Sequence, residues 1–151
     1  MTMLSIRLVR LIEDHSAELG ASLIDRLRHS SRTVDYFKLP DDELRHNTAS
    51  IYRELGDWLL NKTETDIEYR YTQIGSKRAE QGIAISDFVW ALIISKENLW
   101  HFLQTHAPVD HMLELYGEIE LLQLIDQFFD RALYYATVGY QHFERSAQSA
   151  A

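Results

Sequence analysis

Ile74-Gly75-Ser76-Lys77-Arg78-Ala79-Glu80-Gln81-Gly82-Ile83-Ala84-Ile85-Ser86-Asp87 reads as a helix end, a stop and a new helix start. Gly82 closes the first helix, because glycine takes the left-handed backbone of a helix C-terminus without a Cβ penalty. Ser86-Asp87 opens the second, since short polar side chains accept from the free N–H groups of a first turn. Apolar residues recur at three- and four-residue spacing on both sides of this break, and no alternating run with a hairpin dipeptide occurs. The fold class that follows is all-α.

Moving upstream, Thr63 or Thr65 is placed to cap the helix that ends at Gly82. Before it lies a helix from Asp41 to about Asn61, burying Leu44, Thr48, Ile51, Leu55, Trp58 and Leu59. Leu39-Pro40-Asp41-Asp42-Glu43 marks its start, with Asp41 as the cap and an acidic first turn that suits the helix dipole. A short turn carries Tyr36 and Phe37, after a polar break at Ser30-Ser31. The first helix is expected from about Leu4 to His29, with Gly20 the point where it would bend or split. Downstream, the helix opened at Ser86-Asp87 runs to about His106. Pro108 and Asp110 separate it from a long last helix, His111 to about Glu144. About five main helices result, ending in a long C-terminal one. Residues 1–145 are expected to form one domain, and 146–151 a flexible tail or truncated linker.

Composition narrows the function. The chain has 151 residues, one ordinary domain's worth, and 46% of them are hydrophobic. Its 15 Lys and Arg against 23 Asp and Glu leave a formal net charge of -8. Phosphate backbones and anionic membranes both require clustered cations, so neither nucleic acid nor a membrane surface is the expected partner. Cysteine is absent, which removes disulfides, thiolate catalysis and thiolate zinc sites. No long uninterrupted apolar run opens the chain, since Arg7 and Arg10 interrupt it, and a cytoplasmic location is expected.

No constellation points to catalysis. Ser76, Ser86 and Ser95 lack a nucleophile motif, Glu114 and Glu118 read as a solvated helix face, and no glycine-rich phosphate loop occurs. No metal site is expected either. A ferritin-like di-iron bundle needs Glu-x-x-His twice, and the chain offers it once, at Glu43-Leu44-Arg45-His46. His106, His111 and His142 read as surface residues. Two helices are, however, apolar beyond one face. Phe88-Val89-Trp90-Ala91-Leu92-Ile93-Ile94 is apolar around its circumference, and the last helix adds Leu121, Leu124, Phe128 and Ala132 beside its main stripe. Such helices are buried on two sides. A homodimer through Val89, Ile93, Leu121 and Phe128 is therefore expected.

The opening stretch also carries a family resemblance. Ile74, Gly75 and Gly82 match the F-helix pattern of globin-coupled sensors and protoglobins, in which Arg78 stands where the family has its haem-ligating histidine. The run Arg78-Ala79-Glu80-Gln81-Gly82 through Ser86-Asp87 resembles more closely the amino-terminal domains of RsbR-type stressosome proteins, described as globin-like sensors without haem. The resemblance implies a globin-like sensor domain that binds no cofactor and acts by dimerisation and protein–protein contact, alone or with a further signalling protein. Arginine supports that implication, because it has no lone pair for iron and stays cationic. Arg78 itself is expected to be an ion-pair residue, with Glu80 and Glu97 as candidate partners. Two other functions stay open: a haem or gas sensor ligated by His46 or His101, and an apolar-ligand carrier using the volume haem would fill. Trp58, Trp90 and Tyr71 are the side chains expected to fill that volume if no ligand does.

Overall fold

A computed structural model describes residues 3–106 and 112–150. Pro108, Asp110 and His111, expected to form the break before the last helix, lie outside the described residues. The chain is all-α, with seven helices and no strand among the described residues: α1 Met3–Asp14, α2 Ser16–His29, α3 Asp41–Arg53, α4 Leu55–Leu60, α5 Glu64–Glu80, α6 Ile85–His106 and α7 Met112–Ala150. A 3-10 turn, Val34–Lys38, joins α2 to α3 and contains Tyr36 and Phe37.

Two helices expected to be continuous are each split. The first breaks at His15, not at Gly20. The His15 ring Nδ1–H donates to the Leu11 carbonyl at 2.8 Å, and its backbone N–H is shared between Leu11 and Ile12. Gly20 stays inside α2, where an added Cβ would meet the Ala49 backbone of α3 at 3.1 Å, so glycine serves close packing there. The Asp41–Asn61 helix breaks at Glu54, with φ −101 and ψ 10. The break turns α4 across α1, where Gly56 sits against Val9 and Glu13.

Helix ends divide between local and tertiary control. Thr63 caps α5 in a complete capping box with Asp66. At its other end Gly82 has φ +76, Ile83 N–H bonds the Arg78 carbonyl and Gly82 N–H bonds that of Ala79, a Schellman closure. Asp41 does not cap α3. Pro40 holds the cap position in an extended conformation, which makes Asp41 the first helical residue, and its carboxylate pairs with Arg28. Ser86 does not cap α6, which begins one residue earlier. The Asp35 carboxylate reaches across from the 3-10 turn to accept from Ala84 N–H at 2.7 Å, and Asp87 answers by accepting from Asp35 N–H at 3.0 Å. At the far end α7 does not stop near Glu144. Ser146–Ala150, expected to be a flexible tail, continues it as exposed helix, for no glycine or proline interrupts this alanine-rich run.

The core gathers Leu19, Leu23, Tyr52, Leu55, Ile83, Leu99, Leu103, Leu121, Ile125 and their neighbours. Its tightest pairing is α5 on α7. A Cβ on Gly75 would lie 1.8 Å from the Ala136 carbonyl oxygen, and one on Gly139 would lie 2.0 Å from that of Thr72. Glu64 and Arg131 pair at one end of this contact, at 3.2 Å, and Tyr140 Oη–H donates to the Ile83 carbonyl at the other, at 2.6 Å.

Candidate functional site: a cleft between α3 and α5

Because α5 is pulled against α7, a gap opens on its other side, toward α3. A cleft of about 280 Å³ lies there. Its apolar floor is Leu23 and Leu27 of α2, Leu44 and Ile51 of α3, and Phe88 and Leu92 of α6. Asn47 and Ser50 of α3, with Glu54 at the joint that follows it, line it opposite Arg70, Gln73, Lys77 and Arg78 of α5. The size is near the lower bound for small-ligand pockets, roughly 300 Å³.

Arg78 is the buried cation of this cleft, 6% exposed. Its Nη1 donates to Gln81 Oε1 at 2.7 Å and lies 3.5 Å from Glu43 Oε1. Its guanidinium also stands 6.0 Å from the centre of the Tyr36 ring. Gln81 Nε2 donates to the same Glu43 oxygen at 2.8 Å, and Lys77 Nζ reaches it at 3.2 Å. The Glu43 carboxyl is therefore held below the ordinary glutamate range, first by the Gln81 hydrogen bond and then by Lys77 and Arg78. Burial pushes the Tyr36 phenol up to about 12, against the opposing pull of Arg78.

Arg78 is thus an ion-pair residue, but a buried one, and its partner is Glu43. Glu80 and Glu97 are exposed and take no part. Sequence reasoning met Glu43 as part of an acidic first turn and as half of a metal motif, never as a partner of Arg78. Nothing in a linear pattern pairs it with residues more than thirty positions away.

Of the residues expected to fill the haem volume, Trp58 and Tyr71 line the cleft and pack with Phe128 in a three-ring cluster, centres 5.7–6.2 Å apart. Trp90 does not join them; it lies beneath the Arg32 guanidinium at 4.8 Å. His46 and His101 are exposed and line no part of the cleft. The four residues expected at a dimer interface separate into two pairs. Leu121 and Phe128 are buried in the chain's own core, at 0% and 4% exposure, and have no surface to offer a second copy. Val89 and Ile93 are half-buried on α6.

A second buried polar group lies behind the floor and was not found by sequence reasoning. Tyr52 Oη–H donates to the Ser95 carbonyl at 2.9 Å, and Asn98 Nδ2 donates to Tyr52 Oη and to the Leu19 carbonyl. Ser22 Oγ–H completes the set by donating to Asn98 Oδ1. The network ties α2, α3 and α6 into one frame around the cleft.

Among the described residues, no group of three or more His, Asp or Glu is placed to hold a metal ion, and no helix is long and apolar enough to cross a membrane. Residues 7–142 match the sequence family described as "Histidine kinase N terminal". No curated protein and no solved structure matches the chain.

Proposed function

Because the chain belongs to the histidine kinase N-terminal family, we propose that it is a non-enzymatic sensor domain, globin-like and without haem, that senses through the α3–α5 cleft. The observation that carries this reading is Arg78. The residue facing the cleft from α5, where the resemblance places a haem ligand, is a cation already engaged by Glu43 and Gln81. Arginine cannot bind iron, and His46 and His101 stand outside the cleft. Output on this reading is a change of protein contact, in a homodimer or toward a separate signalling protein.

Haem titration tests the haemless part. The wild-type protein should give only the weak, unsaturable absorbance of non-specific haem binding. A stoichiometric five- or six-coordinate Soret band would overturn it, and substitution at His46 and His101 would then name the ligand.

A second reading, an apolar-ligand module, is favoured by the cleft remaining open although Trp58 and Tyr71 already occupy one end. Native mass spectrometry of the purified protein distinguishes the two. A bound apolar molecule at one per chain supports a ligand sensor, and a bare chain supports a domain that signals by contact alone.

A further inference from the structure

We propose that Glu43 is a latch at one end of the cleft, and that the cleft opens when the first turns of α3 swing away from α5 with the Glu43 contacts broken. The proposal rests on reading the cleft as the site that faces a ligand. Among the described residues, the hydrogen bonds and ion pairs that join α3 to α5 and its cap all pass through Glu43, to Gln81, Lys77 and Arg78. They gather at one end of the cleft, the first turn of α3 against the last turn of α5.

Tyr52 anchors the last turn of α3 to α6, so the movement is a pivot of the first turns about that anchor. The helix is a separate segment between two backbone joints, the extended Pro40 before it and the non-helical Glu54 after it. Behind it, small residues form the seat, with Gly20 of α2 in close contact with Ala49. A crossing of small residues lets one helix rock on another with little side-chain rearrangement.

Burial sets the resting position. Without Glu43, Arg78 would keep a nearly solvent-free cation with only the neutral Gln81 amide and the Tyr36 ring beside it. An uncompensated buried charge is costly, so the empty cleft rests latched. A ligand in the cleft must either fit beside the closed latch or supply Arg78 with a replacement partner.

Amide hydrogen exchange on the full chain tests this, with Glu43→Gln as the mild variant, Glu43→Ala as the severe one and Asp42→Asn as a control. Asp42 lies in the same acidic first turn, so the control carries the effect of helix-dipole loss alone. In Glu43→Gln the amides of residues 44–49 should exchange faster by about tenfold or more, the factor expected for a lost hydrogen bond to a charged group, while those beside the Tyr52 anchor should change less. Those of α1 and of α7 should be unchanged, and Asp42→Asn should have little effect. Binding of the anionic apolar dye 1-anilinonaphthalene-8-sulfonate should tighten in parallel. Unchanged exchange in α3, a rise spread evenly over the chain, or an equal effect from Asp42→Asn would each overturn the latch. Dye that binds none of the variants, beside a local rise in exchange, supports the latch and counts instead against a ligand-facing cleft.

Discussion

At residue scale, glycines and buried polar groups carry the fold's least replaceable contacts. Gly75 is part of the Ile74-Gly75 pair that resembles a haem-protein motif, yet its role here is packing: a methyl group would penetrate the Ala136 carbonyl. Overpacking a close helix crossing typically costs about 1–3 kcal/mol, and a clash with backbone belongs at the top of that range. Gly75→Ala should therefore lower stability by about 3 kcal/mol in urea unfolding, and Gly139→Ala by a similar amount. A second expectation concerns tyrosine. Burial raises the phenols of Tyr36, Tyr52 and Tyr71, Tyr36 to about 12. A folded value above the unfolded one, about 10, favours the neutral phenol in the native state. Stability from these groups is then fully present below about pH 10 and lost as pH rises through the folded values. Absorbance at alkaline pH should show these tyrosines ionising late and together with unfolding. Tyr36→Phe should shift the alkaline transition upward.

At the scale of elements, each helix end separates local chemistry from long-range help. The α5 start is local. Its capping box lies within four consecutive residues, Thr63 to Asp66, so the linear sequence already contains both partners. Thr63→Ala should cost about 1 kcal/mol, measured as a lower thermal midpoint by circular dichroism, and Thr63→Ser should cost far less. The α6 start is not local. Its first free N–H is met by Asp35, forty-nine positions earlier, and no reading of Ser86-Asp87 contains that partner. The same division explains the split helices. Periodicity continues through His15 and Glu54; the first break coincides with a local bond from the His15 ring to the Leu11 carbonyl, and the second turns α4 across α1.

For the whole molecule, association remains the consequential expectation. Val89, Ile93 and Trp100 follow one another at helical spacing along α6, all half-buried. A stable homodimer needs about 1,200 Å² of buried surface or more, and this stripe is the natural place to begin it. The protein should be dimeric by light scattering at tens of micromolar, and Ile93→Glu should make it monomeric while leaving its circular dichroism unchanged. Leu121→Glu should instead unfold the chain, because Leu121 belongs to the monomer core. A wild-type monomer would remove dimerisation from the proposed function.

Helical class, the long last helix and the Gly82 stop were determined by sequence, which also narrowed the α5 cap to Thr63 or Thr65, because helix periodicity and capping act between residues a turn apart. So was the chemical oddity of Arg78, which cannot serve as a haem ligand wherever it points. Only tertiary structure decided that Arg78 is buried, that Glu43 is its partner and that Leu121 faces inward rather than toward a second copy. Apolar circumference states that a helix is covered on two sides without saying by what. In this chain, α7 is covered by α5 along the Gly75 and Gly139 crossing, a contact between residues more than sixty positions apart. Only folding brings such residues together, and the cleft exists because that crossing draws α5 away from α3.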